Sequence, residues 1–238
     1  MVFHIIRLFF CTIFACVWPR RKSFRFMRKN FPLWLILMIF VNLAIFYWSP
    51  PDLAQGMGKR VFMLYLHVPF AWNSFLTTVF AALTSCLYLW KKEPEWERIS
   101  RSLIEVGTVS AFLTLMTGSI WGKMTWGTWW VWDARLTTML ILFLILCAYL
   151  IVRDVYGNNP EGQRVGSIIS IIAALNVPLV HLSVNYWRTL HQGSTIFRQE
   201  GPPKIDGDMF MILLACFGIV IYWSFCCVKS RLLKVENE

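Results

Sequence analysis

Charge is scarce in this chain. Only 15% of its 238 residues are Asp, Glu, Lys or Arg, against 57% hydrophobic, and the mean hydropathy is +0.55. That balance is too apolar for an ordinary soluble domain. Acidic residues are the scarcer sign, 13 against 23 basic, which leaves a net charge of +10. Cysteine is missing from the polar links, since Cys11, Cys16, Cys86, Cys147, Cys216, Cys226 and Cys227 all lie in apolar segments. No disulfide framework is implied, and the lack of any C-x-x-C or C-x-x-C-H run excludes a thiolate metal pair and covalently attached c-type haem. The cysteines read as small buried hydrophobes. No phosphate loop, carboxylate pair or nucleophile–base–orienter set is present, so the chain is not expected to be an enzyme.

Apolar runs are what it has in quantity. Six stretches approach the roughly 20 residues a helix needs to cross a bilayer: about 31–48, 62–90, 102–121, 136–152, 165–186 and 208–228. They are continuous rather than alternating, which argues against a transmembrane barrel. The expected fold is all-α, a polytopic membrane protein with six transmembrane helices. It divides into a basic N-terminal extension over 1–30, a six-helix membrane domain over 31–228 and a cytoplasmic tail over 229–238.

The basic residues are unevenly shared among the links. PRRKSFRFMRKN before the first run, the links 91–101 and 153–164, and the tail from Lys229 together hold fifteen Lys and Arg. The alternate links hold seven: Lys59, Arg60, Lys123, Arg135, Arg188, Arg198 and Lys204. By the positive-inside rule both termini are cytoplasmic, and the links 49–61, 121–135 and 187–207 face outward. The positive charge is therefore a topology signal facing a lipid bilayer, not a nucleic-acid footprint. The opening MVFHIIRLFFCTIFACVW holds Arg7 and His4 and precedes the basic cluster, so it reads as an interfacial helix, or as an extension upstream of a start at Met27.

Histidine narrows the function. Of four, His67 in YLHVPFAW and His181 in NVPLVHLSVNYW fall inside apolar runs. An ionisable residue within a span is costly unless paired or ligated. Counted from the outer ends of their runs, both lie about five residues deep, roughly 8 Å at 1.5 Å per residue. Each has a nearby proline, Pro69 and Pro178, able to kink its helix and open a cavity. Two neutral imidazoles in an apolar slot suit the axial positions of haem iron, whereas zinc would require further ligands. Either histidine alone could instead be a polar residue hydrogen-bonded to a neighbouring helix.

Tryptophan gathers above them. WGKMTWGTWWVWDARLT, 121–137, contains Trp121, Trp126, Trp129, Trp130 and Trp132. Read as a short helix, it puts Trp126, Trp130, Asp133 and Thr137 on one face and Trp129, Trp132 and Leu136 on another. Such an element belongs between two apolar layers, lipid on one side and a ligand or the protein core on the other. Gly122 and Gly127 permit close backbone approach. An aromatic belt at the membrane surface is the simpler alternative. Arg60, Lys123, Arg135 and Arg188 stand near the outer span ends; Arg135 and Arg188 are the stronger candidates for planar carboxylates, with lipid phosphate as the competing partner.

WGTWWVWDARLT resembles the signature of the WWD-domain proteins that handle haem in cytochrome c biogenesis. LHVPFAW, NVPLVHLSVNYWRTLHQGST and PPDLAQGMGKR narrow the resemblance to the haem exporter protein C (CcmC) family, over about Pro50 to Thr195. The resemblance implies a haem chaperone of the bacterial inner membrane, or of a mitochondrial inner membrane. It implies non-covalent haem b with His67 and His181 as axial ligands, held against the tryptophan loop. It also implies delivery to the haem chaperone CcmE, alongside the ABC transporter subunits CcmA and CcmB and the small membrane subunit CcmD. On this reading Trp126, Trp129, Trp130 and Trp132 cover the haem and Trp121 borders it. Arg135 and Arg188 meet its propionates, Asp133 orients the loop, and His191 in TLHQGST contacts the incoming chaperone.

The residues limit the rivals. A di-haem electron carrier needs histidine pairs at two depths, and a secondary transporter places its polar site near the midplane between repeats. Glu105, at the inner edge of the third run, reads as an interfacial hydrogen-bonding group. An export channel or scaffold subunit of an ABC-type complex, without a stable haem site, is the alternative function.

Overall fold

A computed structural model describes residues 59–187, 190, 191, 205 and 207–235, together with Ile36 and Phe40 of the first apolar run. The expectations for residues 1–30, for most of the first run and for Arg188 lie outside the described residues. A single 3-10 turn, Lys59–Val61, leads into five helices: α1 Phe62–Lys91, α2 Pro94–Trp126, α3 Ala134–Val155, α4 Pro160–Tyr186 and α5 Gly207–Val235. All five are long and apolar enough to cross a membrane. They coincide with the last five expected runs, and no strand occurs among the described residues.

The ends of these helices follow local chemistry. Pro94 and Pro160 sit in the first turns of α2 and α4, where a missing N–H costs nothing. Asn159 caps α4 by accepting from the Glu161 N–H, and Asp133 caps α3 by accepting from the Leu136 N–H at 2.8 Å. Pro69 and Pro178 lie inside continuous helices. Each removes the donor that would reach the carbonyl four residues back, Tyr65 and Ala174 respectively.

A central cluster joins α1 to α4, with Ala81, Ile104, Ala111, Leu142, Leu146, Ala173 and Val180 all at most 2% exposed. Helix α5 closes over α1 and α2 through Val220, Trp223 and Cys227 against Phe70 and Val106. Small and polar residues let the helices approach and link them. Asn73 Nδ2 donates to Ser110 Oγ at 2.7 Å while its Oδ1 accepts from Ser224 Oγ at 3.0 Å, so one side chain ties α1, α2 and α5. Outside, Ile168, Ile172, Leu175, Leu179 and Leu182 form an exposed apolar stripe along α4. Their spacing of three and four marks one helical face, as expected of a lipid-facing surface.

At the end of the bundle bearing the α1–α2 and α3–α4 turns, Arg153 Nε donates to Glu97 Oε1 at 2.7 Å, with the two side chains 1% and 4% exposed. Its Nη1 donates to the Gly157 carbonyl at 2.7 Å. Glu105 is buried between Arg101 and Arg231, linking α2 to α5. This agrees with its expected role as a hydrogen-bonding group at the edge of a span.

Candidate functional site

The opposite end of the bundle holds the candidate site. Helix α2 runs to Trp126 and stops at Gly127, whose φ of 76° is left-handed and suits glycine. Lys123 Nζ donates to the Gly127 carbonyl at 2.8 Å, committing that cation to the helix end. Residues 127–133 are irregular, and α3 begins at Ala134. The tryptophan segment is therefore not the continuous short helix that its spacing suggests. Its turn folds back on α2: a Cβ on Gly122 would sit 3.3 Å from the Thr128 carbonyl oxygen. Arg60 Nη1 donates to the Met124 carbonyl at 2.9 Å and anchors the entry to α1 against the same end of α2.

Between α1, α2, α3 and α4 the segment covers a partly open cleft. His67 and His191 both line it, with Trp130, Arg135, Gly118 and Val180. The expected pairing of His67 with His181 is not the one the cleft contains. Val180 is the α4 residue that faces it, and His181, one residue on, is exposed. A helix turns about 100° per residue, so equal depth does not give equal direction. His181 is exposed on a face of α4 that belongs neither to the cleft wall nor to the outer stripe. His191 reaches the cleft from the link beyond α4.

The two imidazoles are held differently. His67 Nδ1 lies 3.1 Å from Thr117 Oγ1, and that hydroxyl donates its one proton to the Leu113 carbonyl at 2.7 Å. The hydroxyl oxygen is then an acceptor, so His67 Nδ1 carries the hydrogen and Nε2 the lone pair. A Cβ on Gly118 would meet His67 Cε1 at 2.9 Å, so glycine is what leaves room for the ring. Trp121 packs edge-on to it at 5.7 Å.

His191 Nδ1 lies 3.2 Å from Asp133 Oδ2, a side chain only 8% exposed. A carboxylate accepts, so this imidazole too carries its hydrogen on Nδ1 and its lone pair on Nε2. Asp133 thus serves twice, one oxygen capping α3 and the other orienting His191. Trp126 packs edge-on against His191 at 4.9 Å. Burial holds the His191 pKa below its ordinary 6.5 and the Arg135 charge adds to this, against the opposing pull of Asp133. Arg135 lines the same cleft, close enough to Asp133 for its charge to be stabilised by that carboxylate.

The five tryptophans divide by position. Trp121 and Trp126 contact the two histidines, and Trp130 lines the cleft. Trp129 and Trp132 are 47% and 77% exposed, although Trp132 meets Trp130 edge-on at 5.5 Å. The indole N–H groups of Trp121 and Trp130 are buried with no acceptor among the described residues. A buried donor left unpaired costs about 1–3 kcal/mol, which marks Trp130, at the cleft wall, as a group that a ligand's acceptor would satisfy.

These features fit a flat anionic metal complex. Two imidazoles, an indole and an arginine line one cleft, and a glycine leaves room for one of the imidazole rings. Among the described residues no group of three or more His, Cys, Asp or Glu could hold a bare metal ion.

The family model for heme exporter protein C matches residues 17–238. The heme exporter protein C of Haemophilus influenzae is 32% identical over 223 residues, covering 91% of this chain and 89% of that one. That of Escherichia coli K12 is 35% identical over 182 residues, 74% of this chain and 73% of that one. A putative cytochrome c biosynthesis ccmC-like mitochondrial protein of Marchantia polymorpha is 39% identical over 163 residues, 68% of each chain.

Proposed function

Because the chain belongs to the heme exporter protein C family, multi-pass membrane proteins that handle haem for cytochrome c biogenesis, we propose that it holds haem b non-covalently in the cleft beneath the tryptophan segment. The observation that carries this reading is the convergence of His67 and His191 on one cleft, each with Nδ1 bonded behind it. His67 and His191 are the proposed axial ligands, in place of the pair His67 and His181. Trp130 lies along the ring, with Trp121 and Trp126 holding the imidazoles. Arg135 meets one propionate, and Arg188 is the candidate for the other. Asp133 orients His191 and does not touch iron.

Haem is cargo in this account. The exposed Trp129 and Trp132 leave an aromatic rim at the mouth of the cleft, suited to a delivery partner, and CcmE is the proposed acceptor. CcmA, CcmB and CcmD are the proposed companions in the membrane, with both termini cytoplasmic and the cleft opening outward. The basic links at the Arg153 end, carrying Lys91, Lys92, Arg98, Arg101 and Arg164, support that orientation.

Co-purification with CcmE in detergent, followed by a visible spectrum, tests the function. Haem present in this chain, and its appearance in CcmE on mixing, is the expected result. If the purified complex held no haem in this chain, the function would move to a channel or scaffold subunit.

A further inference from the structure

The supports behind the two imidazoles are chemically unequal. A neutral hydroxyl stands behind His67 and a carboxylate behind His191. Hydrogen bonding to a carboxylate raises the basicity of an imidazole ligand, and a hydroxyl does so far less. The Thr117 hydroxyl is held in place by α2 through donation to the Leu113 carbonyl at 2.7 Å, but it remains a neutral acceptor. The environment also differs: Asp133 belongs to the irregular tryptophan segment, whereas Thr117 and His67 sit on two packed helices.

We propose that Thr117 is a positioning residue that fixes the His67 tautomer while leaving it the weaker axial ligand, so that His67 releases iron first and His191 retains it during delivery. This rests on the ligation reading above. The step is a ligand substitution. The bond from iron to His67 Nε2 breaks, a donor atom of the acceptor takes the vacated position, and no electron changes hands. The His191 bond persists until the second side is held. The order follows from the unequal supports, a carboxylate behind His191 and a hydroxyl behind His67; the Asp133 Oδ1 cap on α3 is untouched by either release.

Carbon monoxide binding to the reduced, haem-loaded full-length protein tests this. In a six-coordinate ferrous haem, saturating carbon monoxide binds at the rate at which the weaker protein ligand leaves. Thr117→Val removes the hydroxyl and keeps the shape, so the rate should rise about tenfold, which is about 1.4 kcal/mol. Thr117→Ser keeps the hydroxyl and loses the methyl, and should stay within about twofold of wild type by the same scale. A packing role for Thr117 would reverse that pattern. After photolysis of carbon monoxide, the iron–imidazole stretch reports the ligand that stayed. It should fall in Asp133→Asn and be unmoved in Thr117→Val.

A rate unchanged in Thr117→Val, a change shared equally by Thr117→Ser, or a stretch that follows Thr117 rather than Asp133 would overturn the proposal. Failure of the ligation reading looks different: wild-type protein would show no six-coordinate low-spin haem, or would keep it in both His67→Ala and His191→Ala.

Discussion

Gly118 offers a test in which local helix stability and site geometry pull in opposite directions. Alanine there is the better helix former, by roughly 0.5–1 kcal/mol. Its Cβ, however, would lie 2.9 Å from His67 Cε1 and 3.4 Å from Nδ1. The ring must shift, and the packed α1–α2 contact gives it only the cleft to move into. Overpacking of this kind costs about 1–3 kcal/mol. In the haem-free protein the ring can swing outward, so the helix gain offsets much of the strain. In the loaded protein Nε2 must stay on iron, and the full cost falls on haem binding, about five- to a hundredfold in affinity. Haem titration by the Soret band, run beside thermal melting of the haem-free protein, separates the two. Gly118→Ala should melt within a few degrees of wild type while binding haem at least about fivefold more weakly. An unchanged haem affinity would refute the assignment of His67 Nε2 to the cleft.

Other consequences follow from the same geometry. Trp130→Phe keeps a ring but removes the buried N–H, and should weaken haem binding about tenfold in the same titration, while Trp132→Phe, at the exposed rim, should change it little. Glu97→Gln leaves the buried Arg153 cation poorly compensated at a cost of about 3–5 kcal/mol. It should lower the thermal midpoint by roughly 10 °C or more, with the haem spectrum intact below the transition because Glu97 lies some twenty residues along α2 from the site, roughly 30 Å. For His191 the depressed pKa sets the sign. Above 6.5 the ring is neutral both folded and unfolded, and below it the unfolded chain takes up a proton that the folded site resists. Haem-free protein should therefore lose stability as pH falls from 6.5 towards the folded value, and His191→Gln should flatten that part of a melting-temperature profile.

Much of the fold was legible from hydropathy because continuous apolar runs map directly onto spanning helices. Five of the six expected runs coincide with α1 to α5. Asp133 just ahead of an apolar run is a helix-start signal, and it does cap α3. The tryptophan segment misled because spacing alone cannot see that Gly127 adopts a left-handed conformation, which ends α2 and leaves 127–133 irregular. His181 misled for a related reason. Depth along a span can be counted from its end, but direction around the helix depends on which face packs inward, and Val180 has that face. His191 was read from the sequence as a contact for the incoming chaperone rather than as a residue of the cleft. Its role depends on a contact with Asp133, 58 residues away, which no local pattern encodes. The signal that pointed towards it was chemical: a histidine in the link above the site whenever a second ligand is needed.

The central claim is that His67 and His191 converge on one haem. The direct measurement is the visible spectrum of haem-loaded, detergent-purified protein carrying His67→Ala, His191→Ala or His181→Ala. The account predicts that the first two each lose the six-coordinate low-spin spectrum and that the third keeps it. Loss of that spectrum in His181→Ala, with retention in His191→Ala, would contradict it.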